Sequence, residues 1–241
     1  MTSRSANGLF GMQLALIAIL VLILALGQYH IVMLNWRILL HGAGMTAGLT
    51  FVGYISGLVI AFGISLVRFY RLPIAAHGIG AAVEIVRASP QLMVIFWVYF
   101  GVPFLFKVNL SPLVAAAISL IVIASAYISE VLRAGLLGIP KNQFETAYAL
   151  GHSFWQVQRY IILPQVLRNM YPALLGQLVM LFKISSLLYV IGVIDFYRAV
   201  NIMNNREYIP VEAFVLLILF YYCFGVIFVR IAAVFGREIK Y

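Results

Sequence analysis

Four charged side chains, Glu84, Arg87, Glu130 and Lys183, fall inside or at the ends of long apolar runs of the sequence. Each would cost ~2.5 to 3.5 kcal/mol if it faced lipid at mid-depth of a bilayer, so each is expected to face protein or water. Charges so placed either pair with one another or line the path of a polar solute. Lys183, near the middle of its run, admits both readings: a packing pair with Glu130 or Glu84, or a lining residue beside Ser185 and Ser186. Around Arg87, Ser89, Pro90 and Gln91 two readings also stand. Arg87 can snorkel to the interface while Pro90 only kinks a helix. Alternatively Pro90 releases a backbone carbonyl that, with Gln91, meets a polar solute in a wet cavity. Glu130 and Arg133 read as a helix-end pair. His30, His41 and His77 lack partners at metal-ligand spacing, and the single cysteine, Cys223, sits in an apolar run, so no metal site is expected. No Ser/His/Asp constellation points to an enzyme.

The elements that must position these residues are membrane helices. The chain of 241 residues is 64% hydrophobic and 10% charged, with a mean hydropathy of +1.05, too apolar for a soluble domain. Its net charge of +9 is gathered at the ends of apolar segments, which argues for topology rather than nucleic-acid binding. Six spans are expected: Leu9 to Gly27, then about Ala43 to Val67, His77 to Phe106, Pro112 to Arg133, Asn169 to Gly192 and Pro210 to Phe235. Each approaches or exceeds the ~20 residues that cross a bilayer, and only helices satisfy their own backbone groups there. The first is read as a retained helix, since it lacks a clear cleavage site of small residues. Ten Lys and Arg lie on one side of these spans and four on the other, with Arg87 and Lys183 within the membrane. That bias puts both termini and residues 135–168 in the cytoplasm. No P-loop, nucleotide-binding glycine motif, low-complexity tract or internal repeat is found, so any energy source lies on another chain.

Residues 135–168 form a polar island between two spans. Gln143 to Leu150 favours a short helix ending at Gly151, a residue suited to the left-handed position. Ser153 and Gln156 have the spacing of a capping box that would start a second short helix, and Pro164 is expected to end the pattern. Phe144, Tyr148, Phe154, Trp155 and Tyr160 are candidate anchors for a partner's groove, with Glu145 beside them. An amphipathic connector resting on lipid headgroups has the same chemistry.

The spacing of Glu145, Ala147, Gly151, Ile161, Leu163 and Pro164 resembles the cytoplasmic coupling loop of bacterial ABC-importer permeases, with Thr146 where a second Ala is usual. The likeness extends from Gly42 to about Phe196 and is to the polar amino-acid branch. Gly42 and Thr46 match a Gly-x-x-x-Thr in the first core helix. Arg87, Pro90 and Leu92 match an Arg-Gly-Thr-Pro-Leu-Leu stretch, with Ala88, Ser89 and Gln91 as departures. Tyr127, Glu130, Arg133 and Gly135 match an Ala-Tyr-x-x-Glu-x-x-Arg-Gly-Gly run, and Pro140 to Gln143 follows Pro-x-Gly-Gln with Asn142 for Gly. Lys183-Ile184-Ser185-Ser186-Leu187 stands where the branch has Lys-Asp-Thr-Ser-Leu.

The resemblance implies an all-α polytopic type I ABC-importer permease fold with about six transmembrane helices. Residues 1–42 would add an N-terminal helix and external linker, and residues 43–241 would form the permease core. It implies the transmembrane subunit of an ATP-driven importer of polar or charged amino acids in the bacterial inner membrane. ATP and Mg would be held by a partner ATPase, with a second permease and an extracytoplasmic solute-binding protein completing the machine. Glu145, Ala147, Tyr148, Gly151, Ser153, Ile161, Leu163 and Pro164 would couple to the ATPase. Glu84, Arg87, Ser89, Pro90, Gln91, Lys183, Ser185 and Ser186 are the candidate pathway residues. Two other classes remain open on the residues alone: an ion-coupled carrier in which Glu84 or Glu130 titrates, and a non-transporting scaffold that uses the loop only to recruit a partner.

Overall fold

The computed structural model describes Gly27, residues 29–70 and residues 75–238. The expected first span, Leu9 to Gly27, therefore lies almost entirely outside the described residues. A short helix α1 (Tyr29–Leu34) leads into α2 (Trp36–Phe69), a long apolar rod that includes the span expected from Ala43. Helix α6 (Pro112–Leu137) packs along α2 and occupies the centre of the bundle. Close approach is permitted by glycine: a Cβ at Gly53 would stand 2.7 Å from Leu120 Cβ, and one at Gly57 2.5 Å from Ala124 Cβ. Small residues are what allow membrane helices to gain van der Waals contact, because lipid offers no hydrophobic drive to associate. Three of the buried hydroxyls need no distant partners. Thr50, Ser119 and Ser129 donate to the carbonyls of Thr46, Ala115 and Ala126 within their own helices.

The span expected as one helix from His77 to Phe106 is broken. Helix α3 (Ala75–Ala88) and the following run of α4 (Gln91–Phe96), a π turn (Trp97–Gly101) and α5 (Val102–Phe106) meet at 115° across Ser89 and Pro90. The cause is local. Pro90 has no N–H to give the preceding turn, and its ψ of 134° sends the chain out of helix. Its own carbonyl then receives Met93 N at 2.9 Å and Val94 N at 3.3 Å, which starts α4.

After α6 comes the polar loop: α7 (Lys141–Ala149), a single turn α8 (Phe154–Gln156), a π turn (Val157–Ile162) and α9 (Leu163–Ile184). Here the expectation for Pro164 is corrected. It does not end a helix; it lies in the first turn of α9, where a missing N–H is tolerated, and the preceding π turn widens the coil ahead of its ring. The second short helix of the loop is thus the start of a continuous helical segment, Phe154–Ile191. Its far end tightens to a 3-10 helix (Ser185–Ile191) and stops at Gly192, whose φ is +97°. The amphipathic helix α10 (Phe196–Glu207) and the apolar α11 (Pro210–Glu238) complete the described residues. Leu39, Phe196, Ala199, Val200, Met203 and Ala213 form a second, smaller core where α10 lies between α2 and α11. Among the described residues four helical segments are long and apolar enough to cross a membrane, and the bent pair makes a fifth.

Candidate functional site

The loop ends its first helix with a complete hydrogen-bonded C-cap. Gly151 N donates to Tyr148 O at 3.0 Å and His152 N to Ala147 O at 3.3 Å, around a Gly151 φ of +82°. These are the two bonds of a Schellman motif, and they require the left-handed residue. Ser153 and Gln156 follow as a capping box: Ser153 N donates to Gln156 Oε1 at 2.8 Å, and Gln156 N to Ser153 Oγ at 3.4 Å. Ala147 is the buried residue of α7, whereas Glu145, Tyr148, Gly151, Trp155, Tyr160 and Pro164 are exposed and Ile161 and Leu163 half-buried.

Two of the five aromatic anchors are held against the end of α2, Phe144 half-buried and Phe154 still 38% exposed. Phe144 stacks on Phe69 at a centroid distance of 5.8 Å, and Phe154 meets Tyr70 edge-on at 5.1 Å. Gln158 Nε2 adds a hydrogen bond of 2.6 Å to the Tyr70 hydroxyl. Burial pushes that hydroxyl up to about 12, so it stays neutral and can accept from Gln158. The loop is therefore fastened to the end of α2, leaving Tyr148, Leu150, Trp155 and Tyr160 as its outward apolar surface. A shallow pocket of about 360 Å³ opens beside α7, where Gln143 Oε1 is buried without a hydrogen-bond partner.

Within the bundle Glu130 is the point on which three helices converge. Arg68 of α2 donates to its Oε1, Arg133 donates Nε at 3.2 Å and a second guanidinium nitrogen at 2.9 Å to its Oε2, and Arg87 of α3 stands 3.9 Å away. The expected pair with Arg133 is present, and Arg68, counted in the sequence only as a topological charge, is its main addition. Of the two readings of Lys183, the pair with Glu130 or Glu84 is absent among the described residues. Glu130 is committed to arginines, and both Lys183 and Glu84 are exposed with no ion pair among the described residues.

At the break in the third helix, Tyr127 bridges both sides: Gln91 Nε2 donates to its hydroxyl at 3.2 Å, and the hydroxyl donates to Arg87 O at 3.3 Å. The Arg87 guanidinium lies 5.7 Å from the Tyr127 ring centroid. Ser89 Oγ returns to Ile85 O at 2.7 Å. Gln91 and the interrupted backbone are thus partly satisfied by Tyr127, which the sequence reading had not singled out for this role. Ser186 Oγ donates to Lys183 O at 2.7 Å, but Ser185 is buried with its hydroxyl on Phe182 O, so it does not share the exposed face of Lys183.

A buried acid escaped the sequence reading. Asp195 caps α10: its Oδ1 accepts from Arg198 N at 2.9 Å, while its Oδ2 is buried without a hydrogen-bond partner. The turn it begins is seated on the Gly42 and Thr46 pair, since Thr46 Oγ1 accepts from Phe196 N at 2.9 Å and a Cβ at Gly42 would stand 2.8 Å from Asp195 O. An acid just ahead of the periodic run Phe196, Ala199, Val200, Met203 was the available signal. Burial raises the Asp195 carboxyl to about 6, against the lowering effect of the backbone N–H of Arg198. A carboxyl raised in the fold favours folding below its ordinary range, and that contribution is lost as pH rises from about 4 through about 6. Asp195→Asn keeps the cap and removes the charge, so the protein will lose this pH dependence and be more stable at pH 7.5 by up to roughly 3 kcal/mol. Thermal unfolding in detergent from pH 4 to 8 checks it; a variant with the parent's profile would show that Asp195 does not titrate there.

The described residues thus form a bundle of apolar helices that turns a capped, internally fastened loop outward. The chain matches the family described as the binding-protein-dependent transport system inner membrane component over residues 14–241, and it belongs to that family. The probable amino-acid ABC transporter permease protein YckA of Bacillus subtilis is 34% identical over 201 residues, 83% of this chain and 87% of that one. The glutamine transport system permease protein GlnP of Escherichia coli is 35% identical over 162 residues, 67% of this chain and 74% of that one. A solved amino acid ABC transporter with histidines superposes with a TM-score of 0.76 at 26% identity, covering 86% of this chain and 96% of that chain. An inward-facing MetNI methionine ABC transporter, at 22% identity and a TM-score of 0.68, covers 85% and 97% and shares the fold. The chain is the transmembrane subunit of an ABC importer, a non-catalytic multi-pass protein of the inner membrane with the type I permease fold. Its ATPase is a separate partner, and a solute-binding protein is part of the system to which the family belongs.

Proposed function

We propose that this subunit, with a second permease that is identical or homologous, forms the translocation path for polar or charged amino acids. The names of the relatives support the solute class: an amino-acid permease, a glutamine permease and a glutamate/aspartate import permease. The observation that carries the mechanism is the loop, whose left-handed Gly151 and capping box hold an outward surface in one shape while Phe144, Phe154 and Gln158 fix it to α2. Glu145, Ala147, Tyr148, Gly151, Ser153, Ile161, Leu163 and Pro164 couple that surface to the ATPase. ATP and Mg bind on the ATPase, whose closure moves the docked loops and switches the bundle between two packings with outward and inward access. The Lys and Arg bias supports cytoplasmic termini and a cytoplasmic loop.

Glu84, Arg87, Ser89, Pro90, Gln91, Lys183 and Ser186 contribute to the path, and the buried Ser185 supports it from behind. Lys183 gives the direct test, because no carboxylate holds it among the described residues. Lys183→Met will leave a complex that docks its ATPase and keeps its thermal stability to within ~1 kcal/mol, yet solute uptake will fall at least about tenfold. Uptake at the parent's rate would remove Lys183 from the path. A large loss of stability would make it a structural residue.

A further inference from the structure

On α3, Glu84 and Arg87 stand three residues apart and so share one face of the helix. Both are exposed, yet no ion pair joins them, and Glu84 has none with any other described residue. Arg87 is nearly as unengaged. Of the three arginines about Glu130 it alone is beyond hydrogen-bond distance, at 3.9 Å, because Arg68 and Arg133 already occupy the two carboxylate oxygens. Its position is nonetheless fixed. The guanidinium lies 5.7 Å from the Tyr127 ring centroid, and the Arg87 carbonyl accepts from the Tyr127 hydroxyl at 3.3 Å. We infer, on the reading that both residues contribute to the translocation path, that they hold the backbone of the transported amino acid, Arg87 taking its α-carboxylate and Glu84 its α-ammonium.

The two side chains have the chemistry of that backbone in reverse. A guanidinium offers paired N–H donors to both oxygens of a carboxylate, and a carboxylate accepts from an ammonium. The solute carries its two charges one carbon apart, and residues three apart on a helix have Cβ atoms roughly 5 to 6 Å apart, so one zwitterion can engage both. Each charge then leaves water only with a partner in place, which is the condition for burying it without a large penalty. A lipid phosphate would satisfy Arg87 but would meet Glu84 beside it, so a zwitterion fits this face better than an anion does. Ala81 and Ala88, exposed three residues before Glu84 and four after it, leave room there. The helix ends one residue beyond Arg87 and the chain departs at 115°, and such interruptions at membrane depth belong beside protein or a wet cavity.

The permease pair with its ATPase, in phosphatidylcholine nanodiscs and without binding protein, is titrated calorimetrically with L-glutamine, L-glutamate and L-arginine. The tightest of the three is then compared with its α-amide, which lacks the anionic group, and with its deaminated acid, which lacks the cationic one. The parent is expected to prefer the amino acid to either derivative by about tenfold or more. Arg87→Gln will lose the preference over the amide and keep that over the deaminated acid; Glu84→Gln will do the reverse. A folding defect weakens all three ligands together and does not give this crossed pattern. Variants that keep both preferences or lose both at once, or a parent that binds none of the three amino acids, would overturn the proposal. Dissociation of the permease pair in either variant would assign the charges to the contact between subunits and would overturn it too. Uptake by the complete importer tests the underlying reading separately: reduced uptake without the crossed pattern would leave both residues in the path with another task, whereas uptake at the parent's rate would remove them from it.

Discussion

Glu130→Gln will lower the stability of the assembled protein by about 3 kcal/mol, the lower end of the range for breaking a buried ion pair. The lower end applies because Arg87 and Arg133 can turn partly to water, whereas Arg68 is only 12% exposed and is left facing a neutral amide. For a chain of this length the loss corresponds to an apparent melting temperature lower by about 6 to 12 °C. A thermal shift assay in detergent measures it. Arg68→Gln combined with Glu130→Gln should recover part of the loss, since the orphaned cation is removed with its anion. Arg133→Gln alone should cost little, because its partner keeps Arg68. An unchanged melting temperature for Glu130→Gln would mean that the cluster is hydrated and adds nothing to the packing of α2 against α3 and α6.

Gly151→Asp should abolish transport while leaving the subunit inserted and folded. Nothing lies within 4 Å of a Cβ built at Gly151, so the substitution meets no steric block in this chain. Its local penalty is the left-handed backbone, at φ +82°, and amounts to about 1 kcal/mol. The larger effect falls on docking, where a new carboxylate would be desolvated against the ATPase. Pull-down of the ATPase and solute-stimulated ATP hydrolysis should both fall by more than about tenfold, as loss of roughly 1.4 kcal/mol or more of docking energy requires. Gly151→Ala separates the two causes, since it has the backbone penalty without the charge and should retain much of the activity. Full transport by the Asp variant would mean that the turn does not touch the ATPase.

What was legible in the sequence was local. Among the described residues the presence of the spans followed from apolar length, though not the break at Pro90 or the start at Phe154; the Gly151 turn followed from a residue that tolerates positive φ, and the Ser153 cap from a three-residue spacing. What was not legible depended on residues far apart. Phe144 and Phe154 looked free until Phe69 and Tyr70, at the end of α2, claimed them. Glu130 was matched to Arg133 on its own helix, but Arg68 reaches it across 62 positions of sequence. Pro164 was misjudged for another reason: proline stops a helix only when it falls beyond the first turn, and a π turn upstream moved that boundary. Pro90 admits a kink or a freed carbonyl in the sequence, and neither reading shows that the 115° bend is held by Tyr127, which bonds both sides of the break.

The fastening of the loop to Phe69 and Tyr70 makes α2 a lever. Its 34 residues form one α-helix, a length of roughly 51 Å. One end is gripped by the loop aromatics, and near the other Gly42 and Thr46 hold the Asp195 turn. A tilt of roughly 5° about the gripped end would carry Gly42 and Thr46, roughly 35 to 40 Å away, through roughly 3 Å. That is comparable to the diameter of a methyl group, and it acts on the turn whose buried carboxylate already lacks a second partner. A small rotation imposed at the loop end of α2 would thus reach the Asp195 turn as a displacement large enough to repack α10, without a relay of intermediate side chains.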